Sequence, residues 1–252
     1  FLLSSESKKK INFLLIIFFS YITLLFFNFF LIIYNFYNPS LLRDKQERIR
    51  IAKKTNINFD ERTRLEVILD LKKNNQEAYS VIPPSLVEKF SEKNDLFPVS
   101  GISNVLTVYG NETGEHLIYQ SDRYGFNNND SIYEENTIDY LIIGDSFAHG
   151  AQVAKGEDVA SVLRKKGYKT LTIGMGANGP LTELASLIEY GIFLKPKNIL
   201  WFHFSNDLKD LVRELQNPIL KKYISHDNFK QDLINKQSEI DQILKEFHEK
   251  KT

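Results

Sequence analysis

From Ile11 to Tyr34 the chain reads INFLLIIFFSYITLLFFNFFLIIY, a run with no charge in which only Asn12, Ser20, Thr23 and Asn28 are clearly polar. At ~1.5 Å rise per residue this run makes a helix of roughly 36 Å, enough to cross a hydrocarbon core of about 30 Å. A core helix of a soluble domain is shorter and carries a polar stripe. A cleaved signal peptide has an apolar region of only about 7–15 residues and a small-residue cleavage site, and none is evident after this run. The expectation is an uncleaved, single-pass membrane anchor through residues 11–34. Its orientation is not set by charge: Lys8, Lys9 and Lys10 precede it, while Arg43, Lys45, Arg48, Arg50, Lys53 and Lys54 follow it, partly offset by Asp44 and Glu47.

The remainder is long enough for one sizeable α/β domain and a smaller element. With 32 basic and 32 acidic residues the formal charge is zero, so the balance points to no nucleic-acid partner. The absence of cysteine excludes disulfides, thiolate metal sites and a cysteine nucleophile. The sequence divides into an anchor (1–42), a stalk or lid with helices and a hairpin (43–120) and an α/β domain (121–252). The opening residue, Phe1 instead of Met, suggests a fragment.

In the middle region, Leu65, Ile68 and Leu71 recur at helical spacing within DERTRLEVILDLKK (Asp60 to Lys72), with Asp60 as a candidate cap. Pro83-Pro84 marks a break, and PPSLVEKFSEK reads as a short helix entered through proline. NVLTVYGNETGEHLIY (Asn104 to Tyr119) has the pattern of a hairpin that covers one edge of the main sheet. Its Asn111-Glu112-Thr113 triplet meets the glycosylation rule, which matters only on a eukaryotic secretory route. After Asp122 strands and helices alternate: TIDYLIIG, a helix near Asp158 to Lys166, YKTLTIG, a helix near Leu181 to Phe193, KNILWFHF and a helix from about Asp207. Apolar strand runs separated in this way predict a parallel sheet covered on both faces, with ligands at the carboxyl ends of its strands. The tail from Phe229 to Lys251 reads as an amphipathic helix with Leu233, Ile240, Leu244 and Phe247 on one face, packing on this domain or on a missing part.

Three strand ends carry polar clusters: Gly144-Asp145-Ser146, Gly174-Met175-Gly176-Ala177-Asn178-Gly179-Pro180 and Ser205-Asn206-Asp207. A nucleophilic serine needs a base, and the oxyanion formed by its attack on an acyl group needs preorganised donors. Ser146 would attack; its own N–H and one from the glycine-rich turn would donate, and Asn206 would add a side-chain N–H. Other readings stay open. Asp145 or Ser146 can cap a helix, as can Asn206 or Asp207. Gly174-x-Gly176-x-x-Gly179 matches the dinucleotide fingerprint by spacing, although it follows the second strand of the unit and Pro180 would open the helix. No metal-ligand set is apparent.

These clusters resemble the motifs of the SGNH, or GDSL-type, hydrolases. IGDSFAHG is similar to the first block, with Ser146 as nucleophile, IGMGANGP to the second and FHFSNDL to the third, with Asn206 as the oxyanion asparagine; SDRYGFNN (Ser121 to Asn128) resembles a segment that precedes the first block in many anchored or secreted members. The resemblance covers roughly Ser121 to Leu211. It implies a flavodoxin-like three-layer sandwich, no cofactor, a small-molecule or glycan ester substrate, extracytoplasmic placement, and either Gly176 or Ala177 as the second-block donor. The family's late Asp-x-x-His block, which supplies the base, has no counterpart here, so the expectation is a base beyond Thr252. Among the histidines present, His149 reads as pointing outward or into its turn, and His203, in an apolar strand, as a hydrogen-bonded structural residue. His116, His226 and His248 fall in the hairpin, a loop and the tail helix.

Overall fold

A computed structural model describes residues 5–37, 40–91 and 96–251. The chain forms two compact units, Phe1–Asn58 and Phe59–Thr252. The first contains α1 (Ser5–Tyr37) and α2 (Ser40–Thr55). Within α1, Asn12–Tyr34 has a mean hydropathy of 2.5 and no buried part, which makes it long and apolar enough to cross a membrane. Residues 1–4 and 38–39 of the expected anchor lie outside the described residues. The basic residues after the span fall on α2, where Lys53 and Lys54 occupy the last turn and complement the helix dipole.

The second unit opens with α3 (Arg64–Lys73), whose cap is Thr63 and not Asp60. The Asp60 carboxylate is clamped by Arg62 at 2.7 Å, while Thr63 and Glu66 form a reciprocal capping box. Next come β1 (Ala78–Ser80) and α4 (Pro84–Ser91), the latter entered through Pro84 as expected; Glu92 and Lys93 of that predicted helix lie outside the described residues. β2 (Leu106–Val108) and β3 (Ile118–Gln120) form the predicted antiparallel hairpin, with Leu106 opposite Gln120. It does not extend the main sheet. It pairs in parallel with β1 in a separate three-stranded sheet, because Ala78 and Val108 bury Val67 and Ile68 of α3 in a small cluster of their own.

The main sheet consists of β4 (Tyr140–Ile143), β5 (Thr170–Thr172) and β6 (Asn198–Trp201), all parallel, in the order β5-β4-β6. Around it run α5 (Ser146–His149), α6 (Val159–Lys165), α7 (Pro180–Ser186), α8 (Asp207–Glu214), α9 (Pro218–Ser225) and α10 (Gln237–Lys251). Strand β4 is buried on both faces. Leu141 and Ile143 enter the large core with Ile173, Tyr190 and Ile240, while Ile142 packs on Ala148 of α5 and Ala160 of α6. This is the doubly covered parallel arrangement that continuous apolar strands dictate. The tail begins its long helix at Gln237, later than Phe229, and buries Leu233, Ile240, Ile243 and Leu244 in the same core. Val81, Val87 and Val105, from residues 59–120, belong to that core too.

Candidate active site

The order β5-β4-β6 means that the chain leaves β4 to one side and returns across it to the other. The crevice beyond the carboxyl ends of β4 and β6 is therefore the topological switch point, where open parallel sheets bind ligands. Pairing of Ile143 with Trp201, and the Phe202 N–H to Ile143 carbonyl bond of 2.9 Å, bring Gly144-Asp145-Ser146 beside Phe202-His203-Phe204. A cleft of about 530 Å³ opens there, with Asp145, Phe147, Asp158, Val159, Trp201 and His203 among its lining residues.

Ser146 is the first residue of α5. The cap is Asp145, whose carboxylate accepts the Phe147 N–H at 3.0 Å, so the serine hydroxyl is not consumed by capping. Ser146 is half-buried, and neither its hydroxyl nor its backbone N–H has a hydrogen-bond partner among the described residues. Two glycines make this placement possible. Gly150 ends α5 at φ +75°, and Gly174 lets the helix sit on the end of β5: a Cβ there would stand 2.4 Å from the Ala148 Cβ.

The expected oxyanion donors are placed unequally. The Gly176 N–H is engaged, donating to His149 Nδ1 at 3.2 Å. Ala177 is exposed, sits at φ +64° and has no partner for its N–H among the described residues; its carbonyl accepts from Arg213 at 3.2 Å. A non-glycine residue in the left-handed region carries strain of order 1–2 kcal/mol. Asn206 caps α8 without a side-chain capping bond, and its amide donates to Asp210 at 2.8 Å. Beside Ala177, Asn178 is buried with both side-chain polar atoms unpartnered among the described residues.

His149 does not point outward. It is fully buried, its Nε2 is 2.7 Å from the Tyr119 hydroxyl, and burial pushes its pKa down to about 4. With Nδ1 accepting from Gly176, the neutral ring donates from Nε2 and locks α5 to the hairpin and the glycine-rich turn. SDRYGFNN forms the bracket on the other side. Asp122 accepts from the Tyr124 and Phe126 amides, from Asn128 and from Tyr133, and burial still raises its pKa to about 6. Asn128 then pairs with both the N–H and the carbonyl of Thr172 on β5, while Asn127 donates to the His149 carbonyl.

Two further acids, Glu214 and Glu183, have no place among the expected site residues, and Asp207, expected only as a candidate helix cap, joins them. Glu214 of α8 accepts from the Gly179 and Leu181 amides and the Thr182 hydroxyl, and so caps α7. Because this carboxylate occupies the place of a phosphate at the α7 N-terminus, the dinucleotide alternative loses its amides. Glu183 accepts the Trp201 indole N–H; burial, reinforced by Asp207, Asp145 and Glu214, raises its pKa to about 7. Asp207 is buried, takes the Phe204 N–H at 2.8 Å, and stands 3.4 Å from His203 Nδ1. His203 itself is exposed, stacked on Trp201 with ring centroids 5.5 Å apart, and is not the structural histidine expected of an apolar strand. Its spacing, four residues before an acid at a helix start, was the available signal. No protein-family model, curated protein or solved structure matches the chain.

Proposed function

We propose that this chain is a membrane-anchored serine ester hydrolase or O-acyl transferase of the SGNH type, with Ser146 as the nucleophile and the α/β unit placed outside the cytoplasm. One observation carries the reading. An unpartnered serine hydroxyl stands on the first turn of a helix at the carboxyl end of the central strand, next to a cleft at the switch point of a parallel sheet. The free N–H groups of Ser146 and Ala177 are the backbone donors for an oxyanion, and Asn206 supplies a third once its amide turns from Asp210. The order of the three motif blocks and the apolar helix α1 support the family and the anchoring. The substrate is an acyl or acetyl ester small enough for the cleft, such as an envelope glycan or lipid ester.

A second reading, a tethered non-catalytic binding or assembly module of the same fold, is favoured by the engagement of the Gly176 amide with His149 and of the Asn206 amide with Asp210. Hydrolysis of p-nitrophenyl acetate by the full chain in detergent micelles separates the two. Catalysis requires turnover that Ser146→Ala abolishes and that Asn206→Ala lowers by about 100-fold or more. Turnover unchanged by Ser146→Ala supports the binding module.

A further inference from the structure

We propose that the second compact unit carries a further ligand site, a pocket for a carboxylate with an alkyl tail, in which Arg64 takes the carboxylate. The pocket has a volume of about 690 Å³ and is walled by α3, the end of β1, α4 and α10. It shares no lining residue with the cleft beside Ser146. Leu65, Ile68, Val81, Ile82, Leu86 and Phe247 make its wall apolar, and its polar side chains among the described residues are those of Arg64, Ser80 and His248.

Arg64 is the first residue of α3, at the positive end of the helix dipole, where a cation is disfavoured unless an anion accompanies it. It is half-buried, and burial pulls its pKa down. The guanidinium gives one N–H to the Ser80 hydroxyl at 2.9 Å and lies over the Tyr109 ring, 5.8 Å from the centroid. These contacts hold it in place, yet it has no carboxylate partner among the described residues. Asp60, Glu66 and Asp70, close to it in sequence, are committed elsewhere. Arg62 holds both aspartates, and Glu66 turns back to the N–H and hydroxyl of Thr63. Ser80 gives its own proton to the Val81 carbonyl at 3.0 Å. The rest of the five-donor fork is left for a ligand, and an anion there removes the cost of a desolvated, uncompensated cation.

A guanidinium matches a carboxylate through two parallel N–H···O bonds. Burial, reinforced by Lys72, lowers the pKa of His248, so Arg64 is the one charge in the described lining at neutral pH. A single positive charge balances a carboxylate and leaves a phosphate monoester dianion half uncompensated. The apolar wall then selects acids with a tail, because each methylene removed from water adds to affinity.

The test is photolabelling of the full chain in phosphatidylcholine nanodiscs, which avoid detergent tails, with a decanoate analogue bearing a diazirine at its far end. Peptide mass spectrometry locates the adduct, and decanoate, 1-decanol, acetate and decyl phosphate serve as competitors. The expected adducts lie on peptides containing Leu65, Ile68, Leu86 or Phe247, and Ser146→Ala leaves them unchanged. Decanoate should compete at least about 10-fold better than 1-decanol, which lacks the charge-assisted pair, and acetate should not compete. Arg64→Gln should weaken decanoate binding by about 10-fold or more, with Arg64→Lys, which keeps the charge but not the fork, in between. Trp201 fluorescence checks that the variants are folded, and the comparison of decanoate with 1-decanol needs no variant. Equal competition by the two, labelling of folded Arg64→Gln within about twofold of wild type, or adducts only outside the pocket overturns the site. Stronger competition by decyl phosphate than by decanoate overturns the choice of a carboxylate.

Discussion

His149 is a buried imidazole that must stay neutral to serve as a cross-link, and this makes a quantitative demand on stability. Its folded pKa is about 4, against 6.5 when free, because burial penalises the cation. A depressed folded pKa means that the unfolded chain binds the proton first. The stability contributed by His149 is therefore complete above pH 6.5 and is lost progressively as the pH falls towards 4. At about 1.4 kcal/mol per unit, the full span is worth about 3 kcal/mol, and the portion between pH 7.5 and 5 about 2 kcal/mol. Asp122 and Glu183, with pKa values raised to about 6 and about 7, titrate in the opposite sense: their burial destabilises the fold as the pH rises. The informative quantity is thus the stability difference between wild type and His149→Gln, from which those terms cancel. Urea unfolding of the full chain in micelles, followed by the fluorescence of its one tryptophan, Trp201, reads the α/β unit directly. At pH 7.5 the variant should be less stable by about 2 kcal/mol through the loss of buried hydrogen bonds, and by pH 5 the gap should nearly close. A gap that stays constant within about 0.5 kcal/mol across that range would refute the buried neutral imidazole.

Three further outcomes follow from the same geometry. Glu214→Ala removes the acceptor of two amides and one hydroxyl at the head of α7, and chemical denaturation should show a loss of about 2–4 kcal/mol. Gly174→Val drives a side chain into Ala148 and displaces the helix that carries Ser146, so ester hydrolysis should fall along with about 1–3 kcal/mol of stability. Ionisation of Glu183 beside the Trp201 indole should appear as a fluorescence titration near pH 7 in wild type, absent from Glu183→Gln.

Local chemistry carried much of the architecture into the sequence. The apolar run of α1, the strand β4 ending on Gly144, the Asp158 cap of α6 and the prolines opening α4 and α7 all depend on neighbours within a turn or two. The true cap of α3 was legible as well, since Thr63-x-x-Glu66 is a capping-box signature that outranks Asp60. Other features depend on distant partners. His149 is buried by Tyr109, Tyr119 and the Gly176 amide, none of which its spacing from Ser146 reveals. His203 escapes the alternation of its strand because pairing stops at Trp201 and β6 is an edge, so the pleat no longer sets its direction. The hairpin was readable as a hairpin, but its choice of β1 over the main sheet was decided by which apolar face buried α3.

The nucleophilic role of Ser146 is tested most directly by incubating the full chain in micelles with a fluorophosphonate and mapping the adduct by peptide mass spectrometry. The account predicts a single adduct on Ser146 that is absent from Ser146→Ala. An unmodified Ser146 in folded wild-type protein, or equal labelling of the Ser146→Ala chain, would contradict it.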